Sequence, residues 1–331
     1  MPINKIAILT SGGDAPGMNA CLRAICLACE HEGIETIGYK YGFNGLLKQE
    51  WRALISADMY NLIQRGGTIL NSARCEKFKT DEGALRAAKN LDENEVDALI
   101  VVGGNGSFKG AEHLQQFWDK PVIGIPATID NDIAGTDFTI GFHTAIQTAV
   151  ESIDKVRDTA EAFERIFLVE VMGRDAGFIA LDSAICSGSD LVLVPELFTS
   201  AGEELVRILD KLDAGHKNNA SSSHIIIVTE NLWPGGLSVL ADSLVSETGF
   251  DVRVLTLGHI QRGGSPVSKD RMLATRLGTY AVESILKGEN GVMVGETHTK
   301  PVLVNLAMTR TTTKNLNRYS VEILEKITHL G

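Results

Sequence analysis

The feature that most constrains this fold is a set of four glycine-rich or acidic turns, each of which follows a short apolar run. The four segments read IAILTSGGDAPGMN from Ile6, ALIVVGGNGSFKGA from Ala98, VIGIPATIDND from Val122 and VLTLGHIQRGGSP from Val254. Apolar runs of this length are typical of parallel strands buried on both faces. A turn after such a strand lies at the carboxyl edge of the sheet, where ligands bind in open α/β sheets. The sequence therefore predicts a ligand-binding site built from these turns.

Apolar runs alternate with helical patterns along almost the whole chain of 331 residues. This alternation predicts an α/β fold of two Rossmann-like three-layer α/β/α domains with mainly parallel sheets. A helix over Phe142–Thr159 is long enough to cross from one sheet to a second. The polar stretch 213–223, DAGHKNNASSS, is predicted to be a mobile loop.

The individual elements follow from the same patterns. The predicted strands are Lys5–Leu9, Thr36–Lys40, Ala98–Val102, Val122–Ile125, Arg165–Val171, Leu191–Val194, His224–Val228, Val252–Leu257 and Val302–Asn305. The predicted helices are Met18–His31, Glu82–Leu91, Gly106–Phe117, Phe142–Thr159, Asp175–Ser187, Ser200–Ala214, Gly236–Thr248, Lys269–Lys287 and Leu316–Thr328.

Charge and hydropathy exclude two classes of partner. The formal net charge of −11 argues against nucleic acid as the main ligand. No apolar run approaches the roughly 18 residues of a membrane span, so no membrane role is expected. The strand predicted at Lys5–Leu9 leaves no room for a signal peptide, and the chain is expected to be cytoplasmic. An anionic ligand would have to be bound by local arginine and glycine residues, because the overall field repels it.

Three of the five cysteines have the spacing of plant-type iron–sulfur ligands. Cys21, Cys26 and Cys29 form a C-x4-C-x2-C pattern, and Cys75 is a candidate fourth ligand. The three lie on the helix predicted after the first turn, where 3.6 residues per turn spread their directions by more than about 100°. Cysteine is also a common small core residue. The pattern therefore favours packing over a cluster, and the cysteine content fits a reducing compartment.

The first two turns are candidate phosphate sites. Their glycines, Gly12, Gly13, Gly103, Gly104 and Gly106, let backbone N–H groups approach phosphate oxygens without an intervening side chain. Glycine pairs also end strands for purely steric reasons, so each turn alone is weak evidence. Neither turn matches the P-loop or the dinucleotide motif. Two such turns in one chain, each between a strand and a helix, favour phosphate binding.

The third turn, PATIDND, carries two carboxylates and a hydroxyl. Thr128, Asp130 and Asp132 alternate along the chain, so an extended backbone would point all three to one side. One carboxylate could take a proton from a substrate hydroxyl while the other orients that hydroxyl or reaches a metal ion. With Asp14 in the first turn, this set predicts phosphoryl transfer.

Six arginines flank the glycine-rich turns or the predicted strand ends. Guanidinium groups suit phosphate because two N–H groups pair with two oxygens, whereas most surface arginines are simply solvated. Glycines beside several of them, as in QRGG, MGRD and IQRGG, favour phosphate clamps. His259, in GHIQRGG, is a candidate ligand contact or a buried structural histidine. The arginines are Arg65, Arg74, Arg165, Arg174, Arg253 and Arg262.

These motifs together closely resemble those of the bacterial type of ATP-dependent 6-phosphofructokinase. The matching segments run in order from Leu9 to Pro266 and so cover most of the chain. The most specific are TIDND and GHIQRGG. The full set is LTSGGDAPGMNA, RGGT, NSAR, GGNGS, TIDNDIAGTDFTIGFHTA, VEVMGRDAG, VPE, VTEN and LGHIQRGGSP.

The resemblance implies phosphorylation of fructose 6-phosphate at its 1-hydroxyl by ATP with Mg²⁺, in a homotetramer whose active sites are shared between subunits. Asp130 would be the base, supported by Thr128 and Asp132. Arg74 and Arg174 would stabilise charge on the transferred phosphoryl group. The implied ATP-binding domain covers residues 1–140 and 256–307, and the implied substrate domain covers residues 141–255 and 308–331.

The binding residues are implied in the same way. ATP would contact Gly13, Arg74, Cys75, Gly104, Asn105, Gly106 and Ser107. Fructose 6-phosphate would contact Thr128, Ile129, Asp130, Met172, Gly173, Arg174, Glu230, His259, Ile260, Gln261 and Arg262. From a neighbouring subunit, Arg165 and Arg253 would reach the sugar phosphate.

Two departures from the family pattern affect the nucleotide site. The aspartate that the family's GGDGS turn associates with the metal is Asn105 here, which weakens the Mg²⁺ contact. The aromatic residue that usually follows SAR is Cys75, which thins the packing around adenine, although Phe78 remains.

The family's basic effector site is also reduced in this chain. Arg23 and Arg157 match it, and Asp190 and Lys217 are the other candidate members. The residues that replace two arginines and an aspartate are Leu27, Ser56 and Asn61. Several cations must act together to hold a phosphate near the surface. Activation by ADP and inhibition by phosphoenolpyruvate are therefore expected to be weak or absent.

Two alternative functions remain open. Pyrophosphate-dependent relatives carry Asp where Gly106 stands and Lys where Ala127 stands, so both small neutral residues favour ATP. A catalytically inactive, regulatory subunit that binds sugar phosphate or nucleotide is the second alternative. Asn105 supports it, whereas the intact TIDND motif argues against it.

Overall fold

The computed structural model describes residues 2–217 and 223–327 of the chain. The strands are Lys5–Ser11 (β1), Glu35–Tyr39 (β2), Trp51–Ala53 (β3), Ala98–Gly103 (β4), Val122–Pro126 (β5), Ile166–Val171 (β6), Leu191–Leu193 (β7), His224–Thr229 (β8), Val252–Thr256 (β9), Val292–Thr297 (β10) and Lys300–Asn305 (β11). The α-helices are Met18–His31 (α1), Phe43–Lys48 (α2), Asp81–Glu93 (α3), Asn105–Leu114 (α4), Phe142–Phe163 (α5), Phe178–Ser187 (α6), Ala201–Lys217 (α7), Leu237–Thr248 (α8), Ser268–Leu286 (α9), Leu306–Thr311 (α10) and Arg318–Ile327 (α11). Short 3-10 helices cover Ser56–Met59, Glu76–Lys79 and Gly258–Arg262.

These elements form two compact units. Unit 1 runs through Ile129, resumes over Ile133–Thr144 and again over Arg262–Lys314. Unit 2 contains Asp130–Asp132, Ala145–Gln261 and the chain from Asn315 onwards.

Unit 1 is built on a seven-stranded sheet in the order β11-β10-β5-β4-β1-β2-β3. Strands β10, β5, β4, β1 and β2 are parallel, whereas β3 and β11 at the two edges run antiparallel to their neighbours. The carboxyl ends of the parallel strands consequently meet along one edge of the sheet.

Alternate side chains of the central strands pack into two helical layers. Ala7 and Leu9 of β1 are buried with residues of α2, α3, α4 and α10 in one core cluster. Ile6 and Ile8 are also fully buried and point to the other face, because successive strand side chains alternate. On that side α1 packs along α9, and both contact the central strands.

Unit 2 is built on a four-stranded parallel sheet in the order β7-β8-β6-β9. Helices α7 and α8 cover one face through Ile208, Leu212, Leu240 and Leu244, which pack on the strands in a single cluster. Helix α6 contacts β7 and β8 and is joined by α11. It ends at Ser187, and its C-cap residue Gly188 has a φ of 61°, a left-handed conformation that favours glycine.

The prediction of α/β units with mainly parallel sheets is confirmed, and the differences are local. The sequence patterns do not indicate β3, β10, α2 or α10. Helix α7 extends to Lys217, so the first part of the predicted 213–223 loop is helical, and 218–222 lies outside the described residues. Beyond the short segment Asp130–Asp132, the compact units change over at residues 144, 261 and 314, and the predicted domain boundaries at 140, 255 and 307 remain a prediction. No helix in the described residues is both long and apolar enough to cross a membrane.

Candidate functional site

Three of the four predicted turns follow neighbouring strands of unit 1. In the order β5-β4-β1, Ser11 at the end of β1 pairs with Gly103 at the end of β4, which pairs with Pro126 at the end of β5. The strands therefore stop in line, and the turns after them lie side by side at the carboxyl edge. This is the edge at which α/β proteins bind ligands.

The first turn lies close against an arginine side chain. Gly12 has a φ of 89°, in the left-handed region that favours glycine. A methyl group on Gly13 would lie 2.6 Å from Nη1 of Arg262. That nitrogen donates a hydrogen bond of 3.2 Å to the carbonyl of Asp14, and Arg262 is only 8% exposed. The structure thus places a guanidinium against the glycine turn, although the motif alone assigned Arg262 to the sugar.

The second turn leads directly into α4. A methyl group on Gly103 would lie 2.5 Å from Oγ of Ser107 and 2.6 Å from the carbonyl of Ser11, so this position also requires glycine. Gly104 is the N-cap residue and Asn105 begins the helix. The amides of a first helical turn point outwards and carry partial positive charge, which favours anions. Gly106 is exposed, with no heavy atom within 4 Å of where a methyl group would lie.

The third turn differs from the extended backbone that its alternation suggested. The chain turns at Ile129 and Asp130, and Asn131 has a φ of 54°. The extended premise is wrong because the strand ends at Pro126 and the carbonyl of Thr128 accepts a hydrogen bond of 2.6 Å from Oγ1 of Thr139. Asp130 is 6% exposed. The other two members of the motif, Thr128 and Asp132, are half-buried.

An aromatic cavity adjoins α4 beyond the second turn. Phe78 stacks on Phe43 with ring centroids 4.0 Å apart, and a methyl group on Gly110 would lie 2.9 Å from the Phe43 ring. Gly110 is five residues into the helix after Asn105, or about 7.5 Å along its axis. The cavity measures about 360 Å³ and is lined by Phe78, Lys79, Lys109, Gly110, Glu112, His113 and Gln116.

The remaining predicted nucleotide residues lie close to this stack in the chain. Cys75 is half-buried and packs against the same core cluster as Phe78. The carbonyl of Arg74 accepts a hydrogen bond of 2.9 Å from Nδ2 of Asn44. The backbone of Arg74 is therefore tied to helix α2.

In unit 2 a turn after β6 brings together five of the predicted sugar-binding residues. Oε1 of Glu230 accepts hydrogen bonds from the amides of Gly173 (3.3 Å) and Arg174 (3.1 Å). Oε1 of Gln261 accepts one of 2.8 Å from the amide of Met172. Both Gly173 (φ 155°) and Arg174 (φ 54°) have positive φ angles, so these bonds hold a conformation that is unfavourable for arginine.

The 3-10 helix over Gly258–Arg262 presents its residues in two directions. His259 is exposed and Ile260 is 56% exposed, whereas Gln261 is fully buried. Gln261 thus supports the Met172 backbone, and His259 is free of the core. The buried structural alternative for His259 does not hold.

Arg165 and Arg253 lie at the opposite, amino edge of the unit 2 sheet. Nε of Arg165 and Nε of Arg253 contact the Asp251 carboxylate at 2.6 and 3.0 Å. The hydrogen bond from Arg165 and that from Arg253 lower the pKa of Asp251. The length of β6 separates this cluster from the Met172–Arg174 turn of the same chain. The structure therefore brings these two arginines together with each other and not with the other sugar-binding residues.

Among the predicted effector residues, Asp190 and Arg157 lie at that same amino edge. Nη2 of Arg157 donates hydrogen bonds of 2.8 and 3.1 Å to the carbonyls of Ser187 and Gly188. Oδ1 of Asp190 lies 3.2 Å from Nδ1 of His224. Burial raises the pKa of Asp190, but hydrogen bonds from His224 and from the Ile225 amide outweigh it, so the pKa is lowered.

The other two predicted effector residues are on separate helices. Arg23 lies on α1 in unit 1, and the backbone of Lys217 ends α7 in unit 2. His224 is not among the predicted residues, because its only signal in the sequence is its place at the start of a strand beside a polar stretch.

The cysteine pattern of α1 serves packing. Cys21, Cys26 and Cys29 are all buried, and burial raises the pKa of Cys26 to about 11 and that of Cys29 to about 12. Thiols of this kind are poor sources of the thiolate that metals bind. Over residues 2–217 and 223–327, no three His, Cys, Asp or Glu side chains come together as a ligand set.

The fold and the three aligned turns define an α/β protein with several turns side by side at the carboxyl edge of its larger sheet. Comparison with known sequences identifies the family, because the phosphofructokinase family model matches residues 5–285. The chain belongs to the phosphofructokinase family, which confirms the resemblance seen in its motifs.

Individual relatives agree with this assignment. The chain is 44% identical over 316 residues to an ATP-dependent 6-phosphofructokinase 1 of Thermus thermophilus, covering 96% of this chain and 97% of that one. It is 46% identical over 293 residues to an ATP-dependent 6-phosphofructokinase of Brevibacillus brevis, covering 88% and 89%.

Solved structures show the same fold. A phosphofructokinase from Saccharomyces cerevisiae has a TM-score of 0.86 and 32% identity, covering 98% of this chain and 46% of that one. The present chain therefore spans slightly less than half of the yeast chain. A pyrophosphate-dependent phosphofructokinase from Marinobacter aquaeolei has a TM-score of 0.84 at 21% identity, covering 98% and 92%, which supports the fold alone.

Proposed function

We propose that this chain transfers the γ-phosphoryl group of ATP to the 1-hydroxyl of fructose 6-phosphate. The products are fructose 1,6-bisphosphate and ADP, and the reaction is a step of glycolysis, which takes place in the cytoplasm. The observation that carries the proposal is the alignment of two glycine turns and the acidic Thr128–Asp132 turn at the ends of β1, β4 and β5. The relatives named above, at 44% and 46% identity, carry the name of this activity.

The nucleotide is assigned to unit 1. Its phosphates would lie over Gly13 and the turn formed by Gly104, Asn105, Gly106 and Ser107, where the first amides of α4 favour anions. The aromatic cavity beyond this turn offers an apolar surface to the base, at a distance along α4 that suits a nucleotide. The predicted contacts that flank this surface in the chain are Arg74 and Cys75.

Chemistry is assigned to the third turn. Asp130 would accept the proton of the 1-hydroxyl, and its burial excludes water from the transfer. Thr128 and Asp132 would orient the hydroxyl and the phosphoryl group. Arg74 and Arg174 would stabilise the charge that develops on the transferred group, which is the main task of a protein in phosphoryl transfer.

The sugar phosphate is assigned mainly to unit 2. The backbone of Met172, Gly173 and Arg174, which Glu230 and Gln261 fix, would bind the sugar. The exposed ring of His259 is available to the same ligand. The other predicted contacts are Ile129, Ile260 and Arg262.

The distance of Arg165 and Arg253 from that turn supports a shared active site. Because β6 separates them from Met172–Arg174 in one chain, they would serve the site of a neighbouring subunit. We therefore propose a homo-oligomer, most simply a homotetramer. In this arrangement Asp251 would keep both guanidinium groups together until the sugar phosphate arrives.

Magnesium is the metal that this reaction implies. The described residues offer no cluster of carboxylates, so Mg²⁺ would depend on phosphate oxygens and water, as it commonly does. Asn105, at the start of α4, would contribute a neutral carbonyl oxygen directly or through water. When bound, the ion neutralises charge on the nucleotide phosphates.

A pyrophosphate-dependent reaction is the second candidate, and the site favours ATP. Gly106 is exposed and open, so it leaves room for the remainder of a nucleotide beyond the phosphates. Ala127 is buried and neutral, at 1% exposure. A regulatory role without catalysis has only Asn105 in its favour.

Regulation by phosphorylated effectors is proposed to be weak. Arg157 is engaged with the end of α6, and Asp190 is bound to His224. The guanidinium of Arg157 is thus held by backbone carbonyls, and the carboxylate of Asp190 opposes an anionic ligand. The half-saturation concentration of fructose 6-phosphate should therefore change less than about threefold with millimolar ADP or phosphoenolpyruvate, since isolated surface cations contribute little.

One experiment separates these functions. Purified protein is given fructose 6-phosphate and Mg²⁺ with either ATP or pyrophosphate, and fructose 1,6-bisphosphate is measured through aldolase. A faster reaction with ATP supports the proposal. A faster reaction with pyrophosphate would show that pyrophosphate is the phosphoryl donor. No product with either donor would favour the regulatory role without catalysis.

A further inference from the structure

One buried carboxylate has no role in the proposed chemistry yet accepts several hydrogen bonds from far along the chain. Asp270, in the first turn of α9, is 0% exposed. It accepts hydrogen bonds from the amides of Gly141 (3.0 Å) and Thr144 (2.7 Å) and from Oγ1 of Thr144 (2.5 Å). Oγ1 of Thr144 in turn accepts one of 3.1 Å from the amide of Val267. Asp270 thus caps the start of α5 from a different helix.

Burial and hydrogen bonding act in opposite directions on this group. Burial raises the pKa of Asp270, while the bonds from Thr144 and Gly141 resist that rise. All of its partners given above are donors, and an ionised carboxylate accepts all of them whereas a carboxylic acid must also find an acceptor. The arrangement therefore matches the carboxylate, and removing the charge leaves buried donors without a full partner.

The segment that Asp270 holds is in direct contact with the acidic turn. Oγ1 of Thr139 donates to the carbonyl of Thr128 at 2.6 Å, and the amide of Ile140 donates to the carbonyl of Pro126 at 3.0 Å. A methyl group on Gly141, whose φ is 104°, would lie 3.3 Å from Cγ2 of Ile129. Residues 139–141 therefore run beside the turn from its first residue onwards.

The same segment also packs against the first glycine turn. A methyl group on Gly17 would lie 2.7 Å from Cγ2 of Ile140, and one on Gly141 would lie 2.7 Å from Cβ of Ala15. A methyl group on Gly17 would also lie 3.7 Å from Cβ of Asp270. Residues 139–141 are therefore tightly packed between the first glycine turn and the acidic turn, and they cannot shift without disturbing both.

From these contacts we infer that Asp270 is a positioning residue for the reaction. By holding residues 141–144, Asp270 fixes the Thr128–Asp132 turn. The inference rests on the proposed function only for its kinetic consequence. Asp270 touches no reacting group. It acts through Gly141 and Thr144, and a displacement of about 1 Å in a catalytic group costs on the order of 100-fold in rate.

The test combines kinetics with hydrogen exchange on the full-length protein. The variants are Asp270→Asn, Thr144→Val, which removes the hydroxyl, and Thr144→Ser, which keeps it. Asp270→Asn and Thr144→Val should lower kcat by about 10- to 100-fold, because the turn that carries the catalytic groups is displaced. Amide exchange in a peptide over residues 126–133 should rise, while exchange in a peptide over residues 98–103 stays unchanged. Thr144→Ser should restore kcat to within about threefold of the wild type.

Asp97, at the amino edge of the unit 1 sheet, provides a matched control. Asp97 also accepts two backbone hydrogen bonds, from Asn4 (2.8 Å) and Lys5 (3.0 Å), and lies before β4. Asp97→Asn should affect stability without changing kcat or exchange in 126–133.

Three results would overturn the inference. They are a folded Asp270→Asn or Thr144→Val variant with kcat within about threefold of the wild type, a loss of kcat with unchanged exchange in 126–133, or the same kinetic loss in Asp97→Asn. If Asp270→Asn fails to fold, the two Thr144 variants decide the matter. If the wild type itself does not phosphorylate fructose 6-phosphate, the proposed function fails, and the exchange data alone then support or refute the positional claim.

Discussion

A histidine beside the Asp270 anchor makes the stability of this protein depend on pH in a predictable direction. His143 is the second residue of α5, and its ring lies 4.4 Å from that of Phe138 and 5.7 Å from that of Phe142. Burial, followed by the positive charge of Lys269, lowers the pKa of His143 from 6.5 to about 4. The positive end of the helix dipole acts in the same direction.

The sign follows from comparing the folded and unfolded chains. Because the pKa is lower in the folded protein, the unfolded chain takes up the proton first, and stability is lost as pH falls below 6.5 towards 4. At about pH 5, some 1.5 units below the unfolded pKa, the loss would be about 2 kcal/mol without screening. His143 is partly exposed, and solvent screening reduces the expected loss to about 1 kcal/mol.

The assay compares the wild type with His143→Phe, which keeps a ring against Phe138 and cannot take up a proton. Urea unfolding curves at about pH 7.5 and about pH 5 give the change in unfolding free energy for each protein. The wild type should lose about 1 kcal/mol more than the variant. Titration of Asp270 occurs in both proteins and cancels in this difference.

A second variant tests the assigned cause. Lys269→Gln removes the nearby positive charge, so the pKa of His143 should rise towards its unfolded value. The loss of unfolding free energy between about pH 7.5 and about pH 5 should therefore be smaller in this variant than in the wild type. An equal loss in the wild type and in His143→Phe would refute the reasoning, because the ring would then not differ in protonation between the folded and unfolded states.

Three further predictions concern the active site. Asn105→Asp should lower the Mg²⁺ concentration needed for half-maximal rate, since a carboxylate binds this ion better than an amide; an unchanged or higher requirement would show that residue 105 is remote from the metal. Gly106→Asp should reduce the use of ATP far more than the binding of fructose 6-phosphate, because it places a negative charge in the open space beside the phosphates; equal effects on both ligands would contradict this position. Mixed oligomers of Arg253→Ala and Asp130→Ala chains should regain partial activity, which assays of purified hybrids would detect, and no recovery would place both functions within one subunit.

The parts of the fold that could be predicted are those with a local cause. Helix α1 was predicted with its exact bounds, Met18–His31, because a strand, a glycine turn and an amphipathic pattern follow one another. Strands β1, β4 and β5 were found because they are continuous apolar runs, as buried parallel strands are.

The omitted elements lack such a cause. Strand β3 has three residues, of which Trp51 and Ala53 are exposed, and is too short to form a recognisable apolar run. The apolar run of strand β10 contains Gly295, which weakens the strand pattern in the sequence. Glycine suits this position because a methyl group there would lie 3.0 Å from Cβ of Thr136. That contact joins residues far apart in the chain, and no local pattern reveals it.

The site divides in the same way. The glycine turns could be located because strand ends and glycines are visible in the sequence, and their alignment followed from parallel strands. The conformation of the Thr128–Asp132 turn could not be predicted, because it depends on a hydrogen bond from Thr139, which lies 11 residues away. Asp270 acts from 126 residues beyond Thr144, and a lone aspartate at the start of a helix gives no sign of such a partner.

The most direct test of the central claim is the rate of fructose 1,6-bisphosphate formation by the wild type and by Asp130→Ala, measured with saturating ATP, Mg²⁺ and fructose 6-phosphate. Binding of ATP and of fructose 6-phosphate to the same variant is measured by calorimetry. The account predicts an active wild type, a variant whose kcat is lower by about 100- to 10,000-fold, and binding of both ligands that persists, because the lost group is a positioned base. A variant that keeps more than about a tenth of the wild-type kcat would contradict the account.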